Sequence, residues 1–204
     1  MRGKANHTKW LLCVLFLIAA AQADAAGRVI YVDAAGAGDG TSWVAGYRNL
    51  QNALADAQPG DEIRVAWGIY KPDQGTGQIP GDRAATFRLA SDVTIKGGFA
   101  GFGGPDPNMR DIGLNETILS GDLNGDDGPS LTGNSANSYH VVTGSGTRAT
   151  AVLDGFTISG GNANGLSPNK RGGGIYNNAG SPTVTNCTFL GNWAEDGGGM
   201  GNDN

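Results

Sequence analysis

Two short patterns that each occur twice decide the fold of this chain. LDGFTIS at residues 153–159 recurs as VTNCTFL at 184–190, and GGGIYN at 172–177 recurs as GGGMGN at 197–202. The first pair is offset by 31 residues and the second by 25. Short repeats with this period cannot bury their own apolar side chains, so stacked repeats pair their strands in parallel and form one continuous core.

The composition agrees with a turn-rich, strand-rich domain. Glycine occupies 36 of the 204 positions, without the three-residue period of collagen. A helical bundle is excluded because glycine costs about 1 kcal/mol at each helix-interior site. The hydrophobic fraction of 39% is too high for a disordered chain.

Upstream of the repeats, the sequence predicts more strands and one helix. Apolar residues at i, i+3, i+4 and i+7 predict a helix from Tyr47 to Gln58, which Pro59-Gly60 ends. Three apolar segments are centred on Ile95, Ile118 and Val141, at intervals of 23 residues, and indicate three successive repeats. We predict strands at 29–32, 62–67, 93–95, 117–119 and 140–142.

We therefore predict an all-β fold, a right-handed parallel β-helix (a solenoid) with an N-terminal capping helix, over residues 28–204. Leucine-rich repeats share the period, but their leucine and asparagine spacing is absent. Asn177 should stack on Asn202, and Asn162 should correspond to Asn192. The predicted inward side chains, with Cys187 protected beside them, are Ile95, Ile118, Phe156, Ile158, Val184 and Phe189.

The first residues form a targeting segment. Arg2, Lys4 and Lys9 precede a short apolar run, and Ala21-Gln22-Ala23 offers a cleavage site, with Ala23-Asp24-Ala25 as the alternative. This pattern predicts a signal peptide over residues 1–23. The run is too short to span a bilayer. We expect a protein that is secreted, or held at the cell surface or outer membrane, with no transmembrane helix after the signal is removed.

Charge and cysteine content narrow the partners. Removal of the signal peptide takes away three positive charges, so the formal net charge falls from −5 to −8. An acidic protein of this kind does not suit nucleic acid. Cys187 and His140 are then the only residues of their types, which excludes an internal disulfide and disfavours zinc.

Several segments resemble a known superfamily. The runs at 31–33, 50–54, 59–63 and 68–70 resemble the N-terminal part of right-handed β-helix proteins of the pectin-lyase-like superfamily. The Gly-Gly-Gly-Ile and Cys-Thr-Phe-Leu-Gly-Asn runs are similar to repeats of the polymorphic outer-membrane proteins. This resemblance implies the fold. For activity it implies a Ca²⁺-dependent lyase only where catalytic motifs match, and the Trp-x-Asp-His and Arg-x-Pro-x-x-Arg signatures of pectate lyases are absent.

Two groups of residues could carry chemistry. Oxygen ligands at Asp122, Asn124 and Asp126, with Asp127 beside them, resemble the start of a calcium loop and make Ca²⁺ the candidate cofactor. The alternative is a solvated acidic turn. Lys170 and Arg171 could meet an acidic sugar and Tyr176 could stack on it, or the two charges could simply keep an inserted loop in water.

These observations leave two main functional hypotheses. The first is a noncatalytic scaffold, adhesin-like or glycan-interacting, whose partners are polysaccharides or other cell-surface components. The second is a pectate-lyase-like polysaccharide lyase that acts on acidic polysaccharide with Ca²⁺. The last repeat lacks a following strand, so we expect a C-terminally truncated domain, the N-terminal part of a longer protein, and self-association of this form.

Overall fold

The structure is a computed structural model that describes residues 27–203, so the predicted signal peptide lies outside the described residues. Within this range the protein is all-β, with parallel sheets and little helix. No described helix has the length and apolar character needed to cross a membrane.

Three parallel sheets contain most of the strands. Sheet A has the order β1 (Val29–Val32), β2 (Glu62–Ala66), β5 (Thr94–Phe99), β8 (Val152–Asp154) and β12 (Thr183–Thr185). Sheet B has the order β3 (Gly68–Tyr70), β6 (Thr117–Ser120), β9 (Thr157–Ser159) and β13 (Thr188–Leu190). Sheet C has the order β4 (Phe87–Arg88), β7 (Val142–Thr143), β11 (Ile175–Asn178) and β15 (Met200–Asp203).

A fourth pair, β10 (Asn162–Ala163) and β14 (Trp193–Ala194), is also parallel. From β2 onward the chain visits sheets A, B and C in rotation, so each sheet receives one strand per pass. The two repeats found in the sequence are confirmed by the strand register. Ile158 pairs with Phe189 at the offset of 31, and Asn177 pairs with Asn202 at the offset of 25.

The 23-residue interval does not mark successive repeats. Ile95 lies in sheet A, Ile118 in sheet B and Val141 next to sheet C, so these segments belong to three different sheets. In sheet A, Ile95 pairs instead with Leu153. Long loops within this pass separate the true partners and hide the period.

The core is built from columns of like side chains. The sheet A column is Ile30, Ile63, Ile95, Leu153 and Val184; that of sheet B is Tyr70, Leu119, Ile158 and Phe189; that of sheet C is Phe87, Val142, Ile175 and Met200. In-register parallel strands lie about 4.8 Å apart, which brings such side chains into contact. Most of these side chains are buried in one cluster.

The predicted inward positions are confirmed for Ile95, Phe156 and Ile158, which are buried. The inward prediction for Ile118 is wrong: its neighbour Leu119 is fully buried, whereas Ile118 is partly exposed on the outer face. Phe189 belongs to the inward column but is 36% exposed because β13 is the outermost described strand of sheet B.

Helix α1 (Leu50–Asp56) is shorter than predicted. Asn49 and Ala57 at its two ends have extended backbone, and the Gln58-Pro59 step disfavours further helix. Leu50 and Ala53 are buried in the core, and the helix contacts β1, β2 and β4.

The glycine triad of the second repeat has a steric cause. Gly172 and Gly197, at equivalent positions, have φ of +64° and +66°, in the left-handed region that favours glycine. A Cβ on Gly173 would lie 2.3 Å from the carbonyl oxygen of Trp193. Larger residues would therefore force these neighbouring segments apart.

Candidate functional site

The acidic loop follows β6, and Asp122 organises it. Its Oδ1 accepts backbone N–H groups from Gly125 at 2.6 Å and from Asp126 at 3.2 Å. Aspartate side chains commonly close turns in this way. Part of the Asp122 carboxylate's bonding capacity is therefore used by the loop itself.

The structure brings three of the four predicted metal ligands together. Carboxylate oxygens of Asp122, Asp126 and Asp127 lie within 4.8 Å of one another. Ca²⁺ binds oxygens at about 2.3–2.6 Å, so one ion could contact all three carboxylates. Asn124 is exposed in the same loop, and its side chain makes no hydrogen bond within the described residues. The residues fit a partial calcium site.

Asn137 supports this loop from below, and the sequence offered no motif that would single it out. Its fully buried side chain donates from Nδ2 to Oδ2 of Asp127 and to the carbonyl oxygen of Gly160, both at 2.7 Å. Partial burial and the charges of Asp122 and Asp126 raise the pKa of the Asp127 carboxyl, and the Asn137 amide opposes this rise.

A groove lies between the acidic loop and the last strands of sheet B. Its first cavity has a volume of about 480 Å³, and its lining includes Ser120, Asp122, Asp127, Leu131, Ser159 and Leu190. A second cavity of about 300 Å³ is lined by Leu131, Asn134, Asn162, Asn164 and Trp193. Since Leu131 lines both, we call the two adjoining cavities the Trp193 groove.

The Trp193 end of this groove rests on the short sheet formed by β10 and β14. Trp193 pairs with Asn162 across these strands and remains 37% exposed. The Asn162 amide donates to the Asn134 carbonyl oxygen at 2.7 Å. Arg83 donates to Oδ1 of Asn164, also at 2.7 Å, and the N–H groups of this exposed amide make no hydrogen bond to the described residues, so they are available as donors.

The predicted sugar-binding cations are paired within the protein. Lys170 forms an ion pair with Glu195 at 3.4 Å, and Arg171 forms one with Asp196 at 3.2 Å and another with Asp203. The Tyr176 hydroxyl donates to Oδ2 of Asp203 at 2.9 Å. Arg171 and Tyr176 therefore meet at Asp203, and Lys170 goes to a separate partner.

His140 anchors the inserted loop that carries Lys170. Its ring stacks on Tyr176 with 4.9 Å between centroids. Nδ1 lies 3.0 Å from the Gly172 carbonyl oxygen, and Nε2 lies 3.3 Å from Oδ1 of Asn169. Burial lowers the pKa of His140, so the neutral imidazole is favoured. These contacts hold the His140 ring between Tyr176 and the inserted loop.

Lys170 and Arg171 do not lie in the same site as the acidic loop. The cavity beside Arg171, of about 390 Å³, is lined by Asp196, Met200 and Asp203 among others, and shares no lining residue with the Trp193 groove. In comparisons with protein families, with curated proteins and with solved structures, nothing matches this chain.

Proposed function

We propose that the three sheets are the faces of a right-handed parallel β-helix of the pectin-lyase-like type. The support is the rotation of the chain through sheets A, B and C, with unbroken columns of side chains in each. Crossovers between parallel strands are right-handed in about 98% of cases. Helix α1, packed on β1, would be the cap that shields the first turn.

We infer that the protein is an exported, noncatalytic scaffold of adhesin-like or glycan-interacting type, secreted or held at the cell surface or outer membrane. The N-terminal targeting segment supports export. The observation that carries the noncatalytic assignment is that charged side chains form ion pairs within the protein.

Charged side chains bridge neighbouring passes of the chain. Lys96 of β5 pairs with Glu62 of β2 at 2.5 Å, and Arg110 pairs with Asp154 of β8 at 2.9 Å. Arg171 follows the same rule through Asp203 of β15. These ion pairs link neighbouring passes of the chain. Because all three cations are paired, none of them is free to bind a uronate or abstract a proton.

The lyase alternative is favoured by one specific observation. Lys71 donates from Nζ to the Leu123 carbonyl oxygen at 3.3 Å, which places a basic group next to the acidic loop. When bound, Ca²⁺ would neutralise a uronate carboxylate. A base beside it would then remove the adjacent proton.

The experiment that separates these functions measures ultraviolet absorbance on polygalacturonate, because lyase action forms an unsaturated uronate. We expect no rise, with or without millimolar Ca²⁺. A Ca²⁺-dependent rise that Asp126→Ala abolishes and Asp106→Ala preserves would establish the alternative. Asp106 is the matched control because it is an exposed turn aspartate outside the acidic loop.

Export is tested separately. The mass of the exported protein should correspond to a chain that begins at Asp24, after cleavage behind Ala23. Retention of the full chain inside the cell would contradict an exported scaffold.

A further inference from the structure

We propose that the Trp193 groove binds a neutral glycan, which names the ligand class and site within the proposed function and rests on it. Sugar rings present an apolar C–H face and a rim of hydroxyl groups. A site for them needs an exposed aromatic platform with hydrogen-bond donors and acceptors at its edge. The groove contains these features in two cavities that share Leu131.

The platform is Trp193. The residue is 37% exposed, and its backbone is held in place by pairing with Asn162, so an accessible aromatic side chain starts from a fixed point at the edge of the groove. Leu131, which lines both cavities, and Leu190 extend the apolar surface. Both leucines are exposed.

Donors and acceptors lie around this platform. The Asn164 amide has its oxygen occupied by Arg83, so its N–H groups are the free donors. At the other end, Asn137 occupies Oδ2 of Asp127, while Oδ1 makes no hydrogen bond to the described residues. Ser120 and Ser159 add hydroxyl groups on the floor. This mixture satisfies hydroxyls, which both donate and accept.

The charge of the groove selects among ligands. Of the described residues, no lysine or arginine lines either cavity, and Asp122 and Asp127 line the larger one. An anionic uronate would meet like charge there. A basic peptide would be attracted to the carboxylates, but the Trp193 end offers it only amides and apolar surface. A neutral glycan is compatible with both ends.

The volumes suit an oligosaccharide. The larger cavity, about 480 Å³, falls within the range of about 300–1,000 Å³ typical of ligand sites, and the second cavity extends it past Leu131. The ligand should therefore lie along the groove and contact Asp127 and Trp193 at once.

Isothermal titration of the protein without residues 1–23, in the presence of a chelator, tests this inference. The probes are three neutral hexasaccharides (cellohexaose, xylohexaose and mannohexaose), hexagalacturonate and hexalysine. We expect at least one neutral hexasaccharide to bind, and hexagalacturonate and hexalysine to bind at least about tenfold more weakly, a difference of about 1.4 kcal/mol.

Variants locate the site. Trp193→Ala should weaken the neutral ligand at least about tenfold, which corresponds to about 1.4 kcal/mol. Asp127→Asn should weaken it severalfold while leaving the melting temperature unchanged. Trp67→Ala is the matched control, because this indole is 62% exposed but lines neither cavity. If Trp193→Ala fails to fold, Asp127→Asn still decides the matter.

Three results would overturn the inference: no binding of any neutral hexasaccharide, tighter binding of hexagalacturonate or hexalysine, or equal loss in Trp67→Ala and Trp193→Ala. None of these results depends on the formation of an unsaturated uronate or on export, which are the two tests of the proposed function. Failure of the groove is therefore distinguishable from failure of the exported, noncatalytic scaffold.

Discussion

Replacing Leu119 by alanine tests which side chains of sheet B form the core. Leu119 is fully buried in the column between Tyr70 and Ile158, which are themselves buried. Its neighbour Ile118 points the other way, in line with Ile69, which is 59% exposed. The two residues are adjacent and of equal size, so Ile118→Ala is a matched control.

Leu119→Ala removes three carbon atoms from a site that has a paired side chain of sheet B on either side. Buried leucine-to-alanine changes cost about 2–5 kcal/mol, depending on how far the site can collapse. Because strands on both sides hold Leu119 in register, collapse is limited, and we expect about 3 kcal/mol. Ile118→Ala should cost less than about 1 kcal/mol.

Urea unfolding followed by circular dichroism gives both free energies of unfolding, and thermal melts give a second measure. For a domain of this size, 1 kcal/mol shifts the melting temperature by about 2–4 °C, so Leu119→Ala should lower it by about 6–12 °C. A cost for Ile118→Ala equal to or larger than that for Leu119→Ala would refute the assigned faces.

Three further predictions concern pH, the thiol and association. Burial alone would raise the pKa of Asp61, but hydrogen bonds from Arg28 and the Gln58 N–H hold this pKa below its ordinary 3.8. The stability that the Asp61 carboxylate contributes should therefore be lost as the pH falls below 3.8 and the carboxylate takes up a proton. Asp61→Asn should therefore destabilise the protein at pH 7 and converge with the parent in acid; a constant difference in unfolding free energy across this range would contradict it. Burial raises the pKa of the Cys187 thiol, so thiol reagents at pH 7 should label Cys187 much more slowly in the native protein than in the urea-unfolded protein. Equal labelling rates would show that the thiol is accessible in the native protein. The outer edges of β12, β13 and β15 carry no further strand in the described part of the chain, and such edges can pair with another molecule. Light scattering at tens of micromolar protein should therefore show self-association, and Phe189→Lys should reduce it. A clean monomer of the parent protein would contradict this prediction.

The sequence by itself determined the features that repeat locally. The offsets of 31 and 25 residues correspond to the strand register, because in-register stacking requires like residues at equivalent positions. Asn177 donates to Asn202 at 2.8 Å, as the second offset predicts. Asn162, by contrast, pairs with Trp193, and Asn192 accepts instead from the Gly161 N–H.

Only the tertiary structure decided which segments share a sheet and which face of a strand is inward. The interval of 23 residues joined segments of different sheets, since loop length varies freely while strand pairing does not. Ile118 and Leu119 are both apolar, so the alternation of a short strand could not choose between them.

The candidate sites show the same division. The acidic loop was visible because Asp122, Asp126 and Asp127 are close in sequence, and a local turn brings their side chains together. The partners of Lys170 and Arg171 come from the next pass of the chain, and so does the Gly160 carbonyl oxygen that accepts a hydrogen bond from Asn137. A local pattern specifies side-chain alternation and turns, whereas contacts between distant segments depend on the stacking of the whole chain.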